Sequence, residues 1–217
     1  MSRVILGACL LVGTFLIGQL HANPLPKVIE YTVEFKHKTV TQSVLIEPHP
    51  LGYAIEYDSL DYRVNVVCDP QFFTLESRYI GKTSTTNVLA VRRGNLLVID
   101  GVSKGEPIYN EYTINDDPWI QAFVYGFKPF VQSSSESLTF WMVRPGMFTV
   151  HPLVISKQSE SPDSDDPIPS NWMSTKLTLP GWRAVFWHSY YWFDTSSGLM
   201  HRQQNAKSTT TISGMTY

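Results

Sequence analysis

Between Val28 and Ile114 the chain is a succession of short segments with a two-residue period, and no other feature limits its possible folds as strongly. Val28–Lys36 shows the pattern. Ile29, Tyr31, Val33 and Phe35 point one way, and Glu30, Thr32, Glu34 and Lys36 point the other. Successive side chains of an extended strand face opposite sides of a sheet, so this segment reads as a strand with one buried and one wet face. Val40–Glu47, Gly52–Tyr57, Tyr62–Cys68, Phe72–Ile80, Thr85–Arg92, Leu96–Asp100 and Pro107–Ile114 continue the series. Turn formers separate them, among them Pro48-His49-Pro50, Asp58–Asp61 and Arg93-Gly94-Asn95. Short sequential strands of this kind pair antiparallel with their neighbours. They predict a mainly β fold: a sandwich, a barrel or a strongly curved open sheet.

The period changes at Asn115–Phe127. Asp117 suits a helix N-cap and Pro118 the first helical position, where its missing N–H is not needed. Trp119, Ile120, Phe123, Val124 and Phe127 recur at helical spacing, and Gly126 or Lys128-Pro129 would end the run. One short and very apolar helix beside a large sheet is best buried against the sheet's concave face. Further strands follow at Leu138–Arg144, which is apolar on both faces, at Met147–Ser156 and at Trp172–Leu179. The polar, acidic segment 158–167 between the last two reads as an exposed loop. Its Asp163, Asp165 and Asp166 lack the glycine and the terminal glutamate of a calcium loop.

Gly181–Phe193 carries seven aromatic residues in thirteen: Trp182, Phe186, Trp187, Tyr190, Tyr191, Trp192 and Phe193. Rings bury large areas and are seldom left open to water in such numbers. The stretch therefore predicts one arm of a closing hairpin, packed on both faces, with Asp194–Gly198 as the turn. Leu199–Gln204 and Thr209–Ser213 complete the sheet. The aromatic arm is then the wall against which the helix packs.

At the N-terminus, Arg3 precedes an apolar run from Val4 to Ile17, and a polar break ends at Ala22. This reads as a secretory leader, residues 1–22, followed by a single β-rich domain over 23–217, and it predicts an exported protein of the bacterial periplasm. Leu6-Gly7-Ala8-Cys9 offers the rival reading of a lipid-anchored Cys9, against which the apolar run continues well beyond the cysteine. The formal net charge is −2, and loss of Arg3 with the leader makes it one unit more negative. No basic stripe suits nucleic acid. Removal of the leader leaves Cys68 as the one cysteine, flanked by valines and read as a small buried apolar residue.

Catalytic signatures are missing. There is no G-x-S-x-G elbow, H-E-x-x-H, P-loop, C-x-x-C or glycine-rich dinucleotide turn. His188 and Ser189 are adjacent on a strand and so face opposite ways. Asp116 and Asp117 are accounted for by helix capping. The surplus is apolar, and it suggests a hydrophobic groove between helix and sheet. Trp119, Phe123, Phe127, Phe140, Met142, Trp187 and Trp192 are the candidate lining residues, for a lipid or another apolar partner and with no cofactor or metal. Two other functions stand beside this one: an envelope scaffold whose aromatics are all core, and a hydrolase assembled from the distant residues His188, Ser174 and Asp194.

Several motifs also resemble a known group. They are the Asp117-Pro118-Trp119 helix start with Phe123 four residues on, Ser137–Pro145, Tyr191-Trp192-Phe193-Asp194, and Ser197-Gly198-Leu199-Met200 followed by Arg202. Together they resemble a set of uncharacterised exported bacterial proteins of the half-barrel class that includes the lipoprotein-localisation factors LolA and LolB. The resemblance spans most of residues 28–205. It implies a curved antiparallel sheet around a helical plug with an apolar cavity for lipid or lipoprotein. It supplies no catalytic residue. After the leader no run approaches eighteen apolar residues, so any contact with a membrane is expected to be peripheral.

Overall fold

The structure is a computed structural model in which residues 25–159 and 169–217 are described. The expected leader, Cys9 and all but the first two residues of the acidic segment lie outside them. The alternating segments form fourteen strands: β1 (Val28–Phe35), β2 (Lys38–His49), β3 (Gly52–Asp58), β4 (Tyr62–Cys68), β5 (Thr74–Gly81), β6 (Asn87–Arg93), β7 (Leu96–Ser103), β8 (Glu106–Thr113), β9 (Ser137–Arg144), β10 (Thr149–Lys157), β11 (Trp172–Thr178), β12 (His188–Asp194), β13 (Met200–Gln204) and β14 (Ser208–Thr216). They make one antiparallel sheet in the order β8-β7-β6-β5-β4-β3-β2-β1-β14-β13-β12-β11-β10-β9. The first and last strands pair in its middle, Tyr31 opposite Ile212 and Val33 opposite Thr210. The two edges, β8 and β9, do not pair, so the barrel stays open.

Inward residues follow the two-residue period. Ile29 and Tyr31 of β1, Val44 and Ile46 of β2, Ile55 of β3 and Val66 and Cys68 of β4 are buried in one core with Tyr191 and Phe193 of β12. A second cluster joins Val88, Ala90, Leu97 and Ile99 of β6 and β7 to Val143 and Phe148 near the β9–β10 turn. The sheet has therefore curled far enough for its first half to pack on its last strands. β8, the outer edge, is largely exposed and carries Pro107, Glu106 and Glu111, features that discourage pairing with another chain.

The connection from β8 to β9 differs from the helix expected over 117–127. Residues 118–121 are extended. Trp141 of β9 donates its N–H to Pro118 O (2.8 Å), and Ile120 N donates to Trp141 O (2.9 Å), a parallel bridge on the open edge of β9. On the other side Thr74 N of β5 donates to Trp119 O (2.8 Å). The Gln121 side chain extends the bridge by accepting from Val143 N and donating to Val143 O, both at 3.1 Å. Helical backbone begins only at α1 (Phe123–Gly126) and resumes in α2 (Lys128–Val131), two single turns forming one short plug inside the sheet. Asp117 caps no helix; its N–H bonds the Asn115 side chain in a local turn. Trp119 is fully buried because the open edge needed a partner, a requirement that the helical spacing of the apolar residues did not reveal.

The aromatic stretch also divides in two. Only His188–Asp194 is strand; Gly181–Val185 is a 3-10 turn, and Trp182, Val185 and Phe186 are 73%, 78% and 73% exposed. The cause lies in the neighbouring strand. Trp141 turns its N–H toward Pro118, away from its partner Pro152, so the Pro152 nitrogen faces the β11 side. Proline has no N–H to offer a further strand there. β11 accordingly ends at Thr178, opposite Val154, and the chain leaves the sheet.

Truncating the buried bridge should therefore cost far more than truncating the exposed loop. Trp119→Ala is expected to lose about 3–5 kcal/mol of stability in urea unfolding, and Trp182→Ala about 0.5 kcal/mol or less.

Candidate functional site

Antiparallel order assigns the connections made of described residues to two ends. At one end lie the turns β2–β3, β4–β5, β6–β7 and β12–β13, together with the plug. At the other lie β1–β2, β3–β4, β5–β6, β7–β8, β9–β10, β11–β12 and β13–β14, which form a rim. Lys128 of the plug packs on the Asp194–Gly198 turn, where a Cβ on Gly198 (φ +74°) would stand 2.6 Å from the lysine Cβ. Val124 N donates to Tyr57 Oη of β3 (3.2 Å). The plug is thus fixed at one end of the concave face and leaves space above it.

That space is a cavity of about 360 Å3. Phe123 and Val124 form its floor. Tyr57, Tyr62 and Val64 stand on one side, and Met142, Tyr191 and Met200 on the other, with Pro145 at the rim. Gln42, Gln203 and Thr210 add polar groups nearer the rim end of their strands. Burial raises the phenol pKa of Tyr57, Tyr62 and Tyr191; hydrogen bonds with Val124 for Tyr57, Gln42 for Tyr62, and Ser189 and then Gln203 for Tyr191 oppose this only in part. The wall is therefore uncharged at neutral pH. It is a mainly apolar pocket, within the size range of small-molecule sites.

The structure separates the seven residues singled out from the sequence. Phe123 and Met142 line the cavity. Phe127 and Phe140 lie packed edge to face at 5.0 Å, fully buried in the core beneath Phe123. Trp119 is buried at the β9 bridge. Trp192 is buried on the opposite face of β12 from Tyr191 and Phe193, with the Arg202 guanidinium 5.2 Å from its ring. Trp187 lies outside, on the exposed loop. Sequence reading missed Tyr57, Tyr62, Tyr191 and the polar Gln42 and Gln203. The available signal was Gln42, a polar residue in the inward register of Val44 and Ile46.

The distant hydrolase residues are not assembled. His188 and Asp194 lie at opposite ends of β12, about 20 Å apart at strand rise. Ser174 lies on β11 opposite Trp192. Cys68 is fully buried, and burial pushes its thiol up to about 12, far from a reactive thiolate. Among the described residues, no group of three or more His, Cys, Asp or Glu side chains is placed to hold a metal ion. Asp194 organises a turn. Burial raises its carboxyl, but donors from Ser196, Ser197 and Asn171 outweigh this and hold it at about 2. Those donors are Ser196 Oγ at 2.6 Å, Ser197 N at 2.7 Å, Ser197 Oγ at 2.8 Å and Asn171 Nδ2 at 2.6 Å, and Ser196 N adds a further bond at 3.1 Å.

The fold and cavity define an open, β-barrel-like protein with a short internal plug. A β-barrel-like protein of the domain of unknown function DUF1849 from Brucella abortus is similar in structure. The TM-score is 0.59 and the identity 8%, over 87% of this chain and 94% of that one. A DUF1089 family protein from Pseudomonas aeruginosa aligns over 92% of this chain and 95% of its own, at 9% identity, but with a TM-score of only 0.38. No protein-family model matches the chain, and no curated protein does. At such identities the first likeness speaks for the fold alone.

The Asp194 turn gives a pH-dependent expectation. Its carboxyl falls from 3.8 to about 2 on folding, so its stabilisation is complete above about pH 4 and is lost as pH falls toward 2. Asp194→Ala should lower stability by about 1–3 kcal/mol at neutral pH, because two backbone N–H groups lose their acceptor. The difference between the two proteins in urea titrations should narrow through that acid window.

Proposed function

We propose that this protein is an exported, non-enzymatic binder or carrier of a lipid or other apolar ligand in the bacterial envelope, a functional relative of the half-barrel lipoprotein-localisation factors. The observation that carries this reading is the cavity between plug and sheet. It is walled by Phe123, Val124, Met142, Met200 and uncharged tyrosines, and it reaches Pro145 at the rim. The polar Gln42, Gln203 and Thr210 near its outer part suit a ligand with an apolar chain inward and a polar head toward water. The scattered placement of His188, Ser174 and Asp194 supports binding rather than hydrolysis. The sequence features of residues 1–22 support export.

Native mass spectrometry of protein purified from its own host is expected to show a bound lipid, and stripped protein should take up an anthroyloxy-labelled fatty acid. Met142→Trp fills the cavity from β9 and should weaken uptake about tenfold or more while leaving the melting temperature within a few degrees. Protein that is empty as isolated and takes up no fatty acid would end this reading.

A further inference from the structure

The rim does not look like the solvent end of an ordinary barrel. The 3-10 turn in the β11–β12 connection presents about three quarters of the surface of Trp182, Val185 and Phe186 to water, with Trp187, 41% exposed, beside them. Phe35 at the end of β1, Leu60 in the β3–β4 turn and Met147 in the β9–β10 turn are also exposed, and all lie at the same end. The β9–β10 and β3–β4 turns also meet across the mouth of the sheet. Phe148 packs edge to face on Tyr79 near the end of β5, and Tyr79 stacks on Tyr62 beside the β3–β4 turn.

The charge at this end is also one-sided. The seven rim connections and the strand residues bounding them hold seven bases: Lys36, Lys38, Lys82, Lys104, Arg144, Arg183 and Lys207. They hold three acids: Asp58, Asp61 and Glu106. Asp58 is ion-paired with Lys82 and with Arg63, which takes one base and one acid out of that balance and leaves six bases against two acids. The chain as a whole is net negative, so this basic end is a local excess. Arg183 stands over the Trp182 ring (6.0 Å), and with Arg144 it lies close enough to His151 to lower that imidazole's pKa further than burial alone does. Bases are therefore interleaved with exposed rings.

We propose that this rim docks on an anionic lipid bilayer, with Trp182, Val185, Phe186 and Trp187 entering the headgroup region and the surrounding lysines and arginines meeting lipid phosphates. Tryptophan and phenylalanine favour that boundary, and basic residues are drawn to anionic surfaces. Among the described residues no helix is long and apolar enough to cross a membrane, and docking of this kind needs none. A second copy of the chain is the less favoured occupant, because it would bring the same basic rim against itself. The proposal deepens the cavity reading, since the docked rim is the end at which Pro145 borders the cavity. It does not depend on a ligand being bound.

The test uses full-length protein with an identical N-terminus in every variant, and mixed phosphatidylcholine–phosphatidylglycerol vesicles with brominated acyl chains. Tryptophan emission is expected to be quenched on the mixed vesicles and not on phosphatidylcholine alone, and high salt should reverse the quenching. Trp182→Ser/Phe186→Ser/Trp187→Ser should abolish the quenching. Arg183→Glu should weaken binding about tenfold. None of these residues lines the cavity, so fatty-acid uptake in vesicle-free solution should be unchanged, which keeps failure of docking distinct from failure of ligand binding. Three results would overturn the proposal: no quenching in the parent protein, equal vesicle binding by parent and triple variant, or a dimer in sedimentation that the triple variant makes monomeric without any vesicle binding.

Discussion

The molecule depends on the backbone hydrogen bonds that Pro118, Trp119 and Ile120 make with β9 and β5. A fourteen-strand sheet whose edge strands, β8 and β9, never meet leaves two rows of unpaired peptide groups. Here the connection that must run from one edge to the other also covers one of them. It pairs with Trp141 on the β9 edge and accepts from Thr74 on β5, and so closes the curled sheet where no strand does. Each bond contributes only about 0.5–1.5 kcal/mol net, but together they fix where the chain can go next. After Ile120 it continues into the concavity, and Phe123–Val131 becomes the plug. The floor of the cavity is thus set by the way the barrel hides its open edge.

The strands were legible because each reports its own burial through a two-residue period, and a wet face on an antiparallel sheet keeps that period clean. Ile29 and Tyr31 illustrate it. The connection was not, because its apolar residues satisfy two patterns at once. Trp119, Ile120, Phe123 and Val124 suit a helical stripe, yet they also suit an extended bridge followed by one helical turn. Choosing between them requires the partner, Trp141, which lies more than twenty residues away in sequence. The candidate site was legible only in part for the same reason. Phe123 and Met142 stood out as apolar residues, whereas Tyr57 and Gln203 become wall residues through the register of non-neighbouring segments.

The aromatic stretch shows a different limit. Its richness in rings argued for burial, and for Tyr191, Trp192 and Phe193 burial is what the structure shows. Trp182 and Phe186 are exposed because of Pro152 on another strand, whose nitrogen has no N–H to donate to a further strand and so releases the chain from the sheet. Aromatic density alone therefore does not separate a core strand from a surface loop. The strand part alternates in burial partners, with Tyr191 and Phe193 inward and Trp192 against Arg202. The loop part is a run with no such alternation.

Plug and cavity are coupled through a single requirement, the satisfaction of helix ends. A helical turn of four residues is unstable alone, and its first N–H groups have no internal partner. α1 has no side-chain N-cap of its own. Tyr57 Oη on the opposite wall accepts from Val124 N, and Thr74 Oγ1 accepts from Gln121 N just before the turn. The wall of the cavity therefore caps its floor. A ligand entering above Phe123 would meet a surface that is already hydrogen-bonded and packed, since Phe123 itself lies edge to face on Phe140 and Tyr191. Little ordering would be left for the ligand to bring about, and that favours affinity in a pocket of modest size.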